Sequence, residues 1–87
     1  MVTAEEVEKK IKEVIARIYG VDPEKITPET RFVEDLGADS MTTIELVAEI
    51  EDLFGIEIPD EDVEKNQTVG QAIEYTIQKL KEAGKLS

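Results

Sequence analysis

Neither cysteine nor histidine occurs anywhere in this 87-residue sequence. Tryptophan is absent as well, and aromatic residues make up only 5% of the chain. Without cysteine there is no disulfide and no thiolate zinc site, so redox compartment leaves no mark on the sequence. Without histidine, the side chain best suited to proton transfer near neutral pH is gone, and no serine can be activated as in a Ser-His-Asp triad. Serine is itself scarce, limited to Ser40 and the last residue, Ser87. No apolar run approaches the length of a membrane span, and the N-terminal stretch lacks the basic-then-apolar layout of a signal peptide. A soluble cytoplasmic protein is expected. With 40% hydrophobic residues, the chain can build one modest core, so a single domain over residues 1–87 is expected. It leaves little room for an enclosed catalytic cleft, and a non-enzyme follows.

Basic residues are missing from a long central stretch. Between Phe32 and Glu64 there is no Lys or Arg, while twelve acids occur: Glu34, Asp35, Asp39, Glu45, Glu49, Glu51, Asp52, Glu57, Asp60, Glu61, Asp62 and Glu64. The net charge is −11. Nucleic acid and anionic membrane both require cationic footprints, so neither is an expected partner. A basic protein surface is the natural complement, because opposed fields speed and orient encounter. Solubility alone would also explain such a run. No metal site is expected, since the acids lack EF-hand spacing.

What is present reads as helices joined by loops. Thr3 and Glu6 have capping-box spacing, and Val7, Ile11, Val14, Ile15 and Ile18 follow as one apolar stripe ending at Gly20. From Val21 to Asp39 the pattern is irregular, with Pro23 and Pro28 biasing the residues before them away from helix. Val21, Ile26, Phe32, Val33 and Leu36 are placed to pin this long ordered loop to the core, with a helical turn near Arg31–Asp35. A second helix runs from Ser40 to Phe54 with Asp39 as N-cap, and Gly55 ends it. Ile56–Pro59 reads as extended and Asp60–Val63 as a short helix. Thr68 and Gln71 open a last helix carrying Val69, Ala72, Ile73, Thr76, Ile77 and Leu80 on one face, closed by Gly84. The expected fold is all-α: a small antiparallel four-helix bundle of three long helices and one short one.

The helix beginning at Ser40 carries two stripes. Projected at about 100° per residue, Thr43, Leu46, Val47, Ile50, Leu53 and Phe54 fall on one arc, the expected core face. Met41, Ile44, Glu45, Ala48, Glu51 and Asp52 fall on another, where apolar side chains are edged by acids. An exposed apolar centre with a charged margin has the character of a docking surface, and Met suits adaptable contacts with several partners. Scattered exposed apolar residues are ordinary on small domains. Ser40 lies where the two arcs meet.

The run Phe32-Val33-Glu34-Asp35-Leu36-Gly37-Ala38-Asp39-Ser40, followed by Glu45-Leu46-Val47 and Glu57-Ile58-Pro59-Asp60, resembles the bacterial acyl carrier protein family over essentially the whole chain. The resemblance implies a carrier that a holo-acyl-carrier-protein synthase modifies, using magnesium, by transferring 4′-phosphopantetheine from coenzyme A to Ser40. The thiol of that arm then holds acyl groups as thioesters, which fits a chain with no thiol of its own. It implies that Asp39, Glu45, Glu51 and Asp52, with Met41, Ile44 and Ala48, dock onto basic patches of the synthase and of acyl-processing enzymes. It also implies an acyl-chain cavity lined by Leu46, Ile50, Phe54 and Ile73, and a monomer working in fatty-acid biosynthesis.

Three positions depart from the family's pattern. Met41 stands where Leu is usual, Thr42 where an acid is common, and Asn66-Gln67 where an apolar residue commonly precedes Thr68. They leave open a specialised carrier of polyketide, lipid A-type or D-alanyl (aminoacyl) cargo. An acidic interaction module without any arm is a further alternative.

Overall fold

A computed structural model describes residues 1–87 in full. The chain folds into helices alone: α1 (Ala4–Tyr19), a 3-10 turn (Pro23–Lys25), α2 (Phe32–Leu36), α3 (Ser40–Phe54), α4 (Asp60–Val63) and α5 (Val69–Glu82). The three long helices and the short α4 lie where the periodicity puts them. The helical turn expected near Arg31–Asp35 forms as α2, giving a second short helix inside the long loop. Thr3 and Thr68 cap α1 and α5 in complete capping boxes with Glu6 and Gln71. These satisfy backbone donors that a helix start leaves open.

Both α3 and α5 run opposite to α1. The chain ends meet, with the Val2 N–H donating to the Lys85 carbonyl at 3.2 Å and the Ser87 N–H to the Val2 carbonyl at 2.8 Å. The end of α3 arrives at the same pole, where the Lys85 ammonium donates to the Gly55 carbonyl at 2.7 Å. Nearer the other pole, Arg17 of α1 pairs with Glu49 of α3. Between the helices lies one cluster of eleven buried apolar residues, led by Val7, Ile11 and Ile15 of α1, Leu46, Ile50 and Phe54 of α3, and Val69, Ile73 and Leu80 of α5. Ile26 anchors the long loop to it.

The buried arc of α3 is narrower than the projection suggests. Leu46, Ile50 and Phe54 are buried, Thr43 and Val47 are half-buried, and Leu53 is 45% exposed. Leu53 sits at the far edge of the arc, about 220° from Ser40, beyond the surface that α1 and α5 cover. Val33, expected to pin the loop, is 66% exposed; Phe32 and Leu36 on the same short helix pack against the core instead.

The loop is tied to the start of α5 by backbone bonds: Phe32 N–H to Gln67 O, Val69 N–H to Thr30 O and Gly70 N–H to Pro28 O, at 2.9–3.0 Å. The approach is so close that a Cβ on Gly70 would lie 2.9 Å from the Pro28 carbonyl oxygen. Only glycine fits there without displacing the loop. This strap holds α2, and therefore the turn into Ser40, against α5. No helix is long and apolar enough to cross a membrane.

Candidate functional site

Ser40 is presented by a turn and a cap. Gly37 closes α2 with φ 71°, a left-handed conformation that a side chain would strain. Two residues later Asp39 is extended, and α3 begins at Ser40. The Asp39 carboxylate accepts the Thr42 N–H at 2.9 Å, and the Thr42 hydroxyl oxygen accepts the Asp39 N–H at 3.0 Å. Thr42 thus completes a capping box at a position normally filled by Glu or Gln. The departure noted in the sequence has a local structural purpose.

These bonds run between Asp39 and Thr42 and leave the exposed Ser40 hydroxyl out. The amide of Thr42, then its hydroxyl, holds the Asp39 carboxyl below the usual carboxylate range. Asp39 is therefore a fixed negative charge one residue from Ser40 at neutral pH. The neighbouring Asp39 carboxylate is engaged with Thr42 and makes no hydrogen bond to the Ser40 hydroxyl.

On one side of Ser40 lies an exposed stripe. Met41 is 80% and Ile44 69% exposed, and Glu45, Ala48 and Asp52 are exposed with them. Glu51 differs. It is half-buried, and its carboxylate accepts the Ile58 N–H at 2.8 Å, joining α3 to the segment that leads into α4. This carboxylate is engaged within the fold, a role that helical projection does not show.

On the other side lies a cavity of about 470 Å³ between α2, α3, α4 and the first half of α5. Leu46 and Ile50 line it as expected, with Phe32, Val33, Ala38, Thr43, Val47, Ile58, Val63, Asn66, Gln67, Ala72, Tyr75, Thr76 and Tyr19 among the other walls. Ala38 and Thr43, which bracket Ser40 in sequence, are in its wall, and Ser40 itself is not. Phe54 and Ile73 are not in the wall. Phe54, in the last turn of α3, faces Met1, Val2 and Leu80 at the opposite pole, and Ile73 is packed inside the core cluster. Being buried on the correct face is not the same as bordering a void.

Among the lining residues that the sequence reading did not assign to a cavity are Tyr19, Tyr75 and Asn66, the last noted there only as a departure from the family's pattern. Tyr19 stands four residues after Ile15 on the inward stripe of α1, so helical spacing was enough to find it. Tyr75 stands three after Ala72 on α5. Its hydroxyl donates to the Asp62 carboxylate at 2.6 Å, fastening α4 to α5 along the cavity edge. Burial, then that carboxylate, pushes the Tyr75 hydroxyl pKa well up, and the same bond pulls the Asp62 carboxyl down.

A family model described as a phosphopantetheine attachment site matches residues 9–76. The solved acyl carrier protein of Enterococcus faecalis is similar to this chain at 40% identity, covering 90% of this chain and 99% of its own, with a TM-score of 0.80. This chain belongs to the acyl carrier protein family. The matched model implies 4′-phosphopantetheine as the cofactor. The residues present suit it: a solvent-exposed hydroxyl with no internal partner, beside an apolar-lined cavity large enough for an acyl chain. Acyl carrier proteins are carriers, and a holo-synthase and acyl-processing enzymes act on them.

Proposed function

We propose that Ser40 carries the 4′-phosphopantetheine arm and that the 87 residues act as one acyl-carrier domain. The observation that carries this reading is the free, exposed Ser40 hydroxyl at the head of α3, with a docking stripe on one side and a cavity on the other. In the modification, Ser40 Oγ bonds to the phosphorus of the coenzyme A diphosphate bearing pantetheine, the phosphoanhydride breaks, and adenosine 3′,5′-bisphosphate leaves. The proton passes to a base of the synthase, since this chain has no histidine to take it. The bound arm supplies a thiol for thioester formation. Asp39, Glu45 and Asp52, with Met41, Ile44 and Ala48, form the surface for basic partners; Glu51 adds charge while holding α4. Long-range attraction sets the encounter rate, and weak rim contacts permit release.

Fatty-acid biosynthesis in the cytoplasm, as a monomer, is the setting that fits best. The support is the apolar cavity lined by Leu46, Val47, Ile50 and Ile58, which suits growing hydrocarbon chains better than an aminoacyl group. The test is intact-mass measurement after incubation with coenzyme A, magnesium and a broad-specificity holo-synthase. One phosphopantetheinyl addition on the native chain and none on Ser40→Ala is expected. An unmodified native chain, or an addition that survives the substitution, overturns the assignment.

A further inference from the structure

Sulfur is confined to two side chains in this sequence, Met1 and Met41. With cysteine and tryptophan absent, these thioethers are the side chains most open to oxygen transfer from a peroxide. Both are accessible, Met1 at 87% and Met41 at 80% exposure. Their settings differ. Met1 lies at the pole where the chain ends meet, beside Val2, Leu53 and Phe54. Met41 follows Ser40 directly and, with the exposed Ile44 one turn later, forms the apolar centre of the α3 stripe. A leucine at this position would have no atom that a peroxide attacks.

Oxidation at Met41 changes the stripe without disturbing the fold. The side chain takes no part in the buried cluster, and the bonds of the capping box run between Asp39 and Thr42. The sulfoxide replaces a flexible apolar thioether by a polar group that accepts hydrogen bonds. A partner that covers Met41 with apolar surface must then strip water from that oxygen without supplying a donor, which is disfavoured. Asp39 and Glu45 flank the position along α3. Their charge repels anionic oxidants and leaves neutral hydroperoxides free to approach.

We propose that Met41 is a modification site, oxidised by a hydroperoxide, and that its sulfoxide weakens docking of basic partners beside Ser40. The proposal rests on the carrier reading above and names a control on the same stripe. The sulfur lone pair attacks one peroxide oxygen, so that an S–O bond forms and the O–O bond breaks. Sulfur gives up an electron pair and the peroxide is reduced. The other oxygen collects the proton and leaves as water, or as an alcohol from an organic hydroperoxide. Reversal takes a methionine sulfoxide reductase and a dithiol, which becomes a disulfide as the oxygen departs in water. This chain has no thiol with which to supply those electrons itself.

The test treats the native chain and Met41→Leu, both without the arm, with hydrogen peroxide and then removes the oxidant. Holo-synthase kcat and KM are measured with each chain before and after. Fragmentation in the mass spectrometer should place an oxygen on Met1 and on Met41 in the native chain, and on Met1 alone in the variant. The oxidised native chain should show a KM raised about tenfold at unchanged kcat, the order that burying a Met side chain in an interface supplies. The oxidised variant, bearing the same oxygen at Met1, should keep its own starting KM. Reductases for both sulfoxide epimers, with dithiothreitol, should restore the native chain. Melting temperature should not change on oxidation, since the altered side chain is exposed. An unchanged KM in the oxidised native chain overturns the proposal, as does an equal rise in Met41→Leu. So does a Met41 that stays unoxidised while Met1 reacts, a KM that the reductases leave raised, or a lowered melting temperature. The two readings fail differently. A native chain that accepts no arm before oxidation defeats the carrier assignment and this proposal with it, while one that accepts it equally before and after defeats only this one.

Discussion

Glu51 offers the sharpest test of how the docking helix is built. Helical projection places it with Glu45 and Asp52 on the exposed stripe, where replacement by Lys should weaken partner docking and leave stability alone. The structure gives it a second task. Its carboxylate accepts the Ile58 N–H at 2.8 Å in a part-buried setting, and Ile58 belongs to the cavity wall. A hydrogen bond to a charged acceptor contributes about 1.5–3 kcal/mol, and a shielded donor left without a partner loses a comparable amount. In a chain of this size each kcal/mol shifts the melting temperature by about 4–8 °C, so Glu51→Lys should melt roughly 6–24 °C lower. Glu45→Lys makes the same change in charge at an exposed position with no such bond, and serves as the control. Both variants relieve self-repulsion in a chain of net charge −11, so the difference between them isolates the bond.

The assay is thermal unfolding followed by far-ultraviolet circular dichroism, with holo-synthase turnover measured at low salt on the same samples. Glu45→Lys should lose turnover with little change in melting, whereas Glu51→Lys should lose both. Equal melting temperatures for the two variants would show that the Glu51–Ile58 bond contributes nothing. Unchanged turnover for Glu45→Lys at low salt would defeat the electrostatic account of docking.

Two further perturbations probe the interior and the caps. Ile50 is 4% exposed and also borders the cavity, so Ile50→Ala enlarges a void instead of letting neighbours collapse; urea unfolding should show a loss of about 2–5 kcal/mol. For pH, the carboxyls of Glu6, Asp35 and Asp39 are held low chiefly by backbone N–H donors of Thr3, Arg31 and Thr42, and that of Asp62 by the Tyr75 hydroxyl. Folded pKa values depressed below unfolded ones give stability that is complete above the unfolded range, about 4, and lost as pH falls through the folded values. Unfolding scanned by circular dichroism should therefore show stability dropping below about pH 4, and no drop there would refute these caps as stabilising elements.

Much of the fold was legible because its signals are local. Thr3 with Glu6 and Thr68 with Gln71 announce helix starts within four residues, and the apolar stripe of α1 follows directly. The Asp39–Thr42 cap was half legible: Asp39 was evident as a cap, but Thr42 is not the residue that usually answers it, so it stood out as a lost charge. The position of Ser40 followed from the run Phe32–Ser40 and from its place between two arcs. The cavity was less legible, because a void is defined by what packing leaves unfilled. Phe54 and Ile73 are as buried as Leu46 and Ile50, and only the three-dimensional course of α2 and α4 decides which pair borders the space.

The reason the second role of Glu51 was not legible lies in what a helical projection represents. It orders side chains around one axis and says nothing about where the chain goes after the helix ends. Gly55 turns the chain, and Ile56–Pro59 passes back beside the last turns of α3, so a carboxylate about 20° from Ser40 in projection meets an amide seven residues later. The stripe proposed to receive partners and the bond that holds the cavity wall therefore share one side chain. A basic residue that draws the Glu51 carboxylate toward itself must compete with the Ile58 N–H, so docking strength and wall rigidity cannot be varied independently at this position, whereas at Glu45 they can.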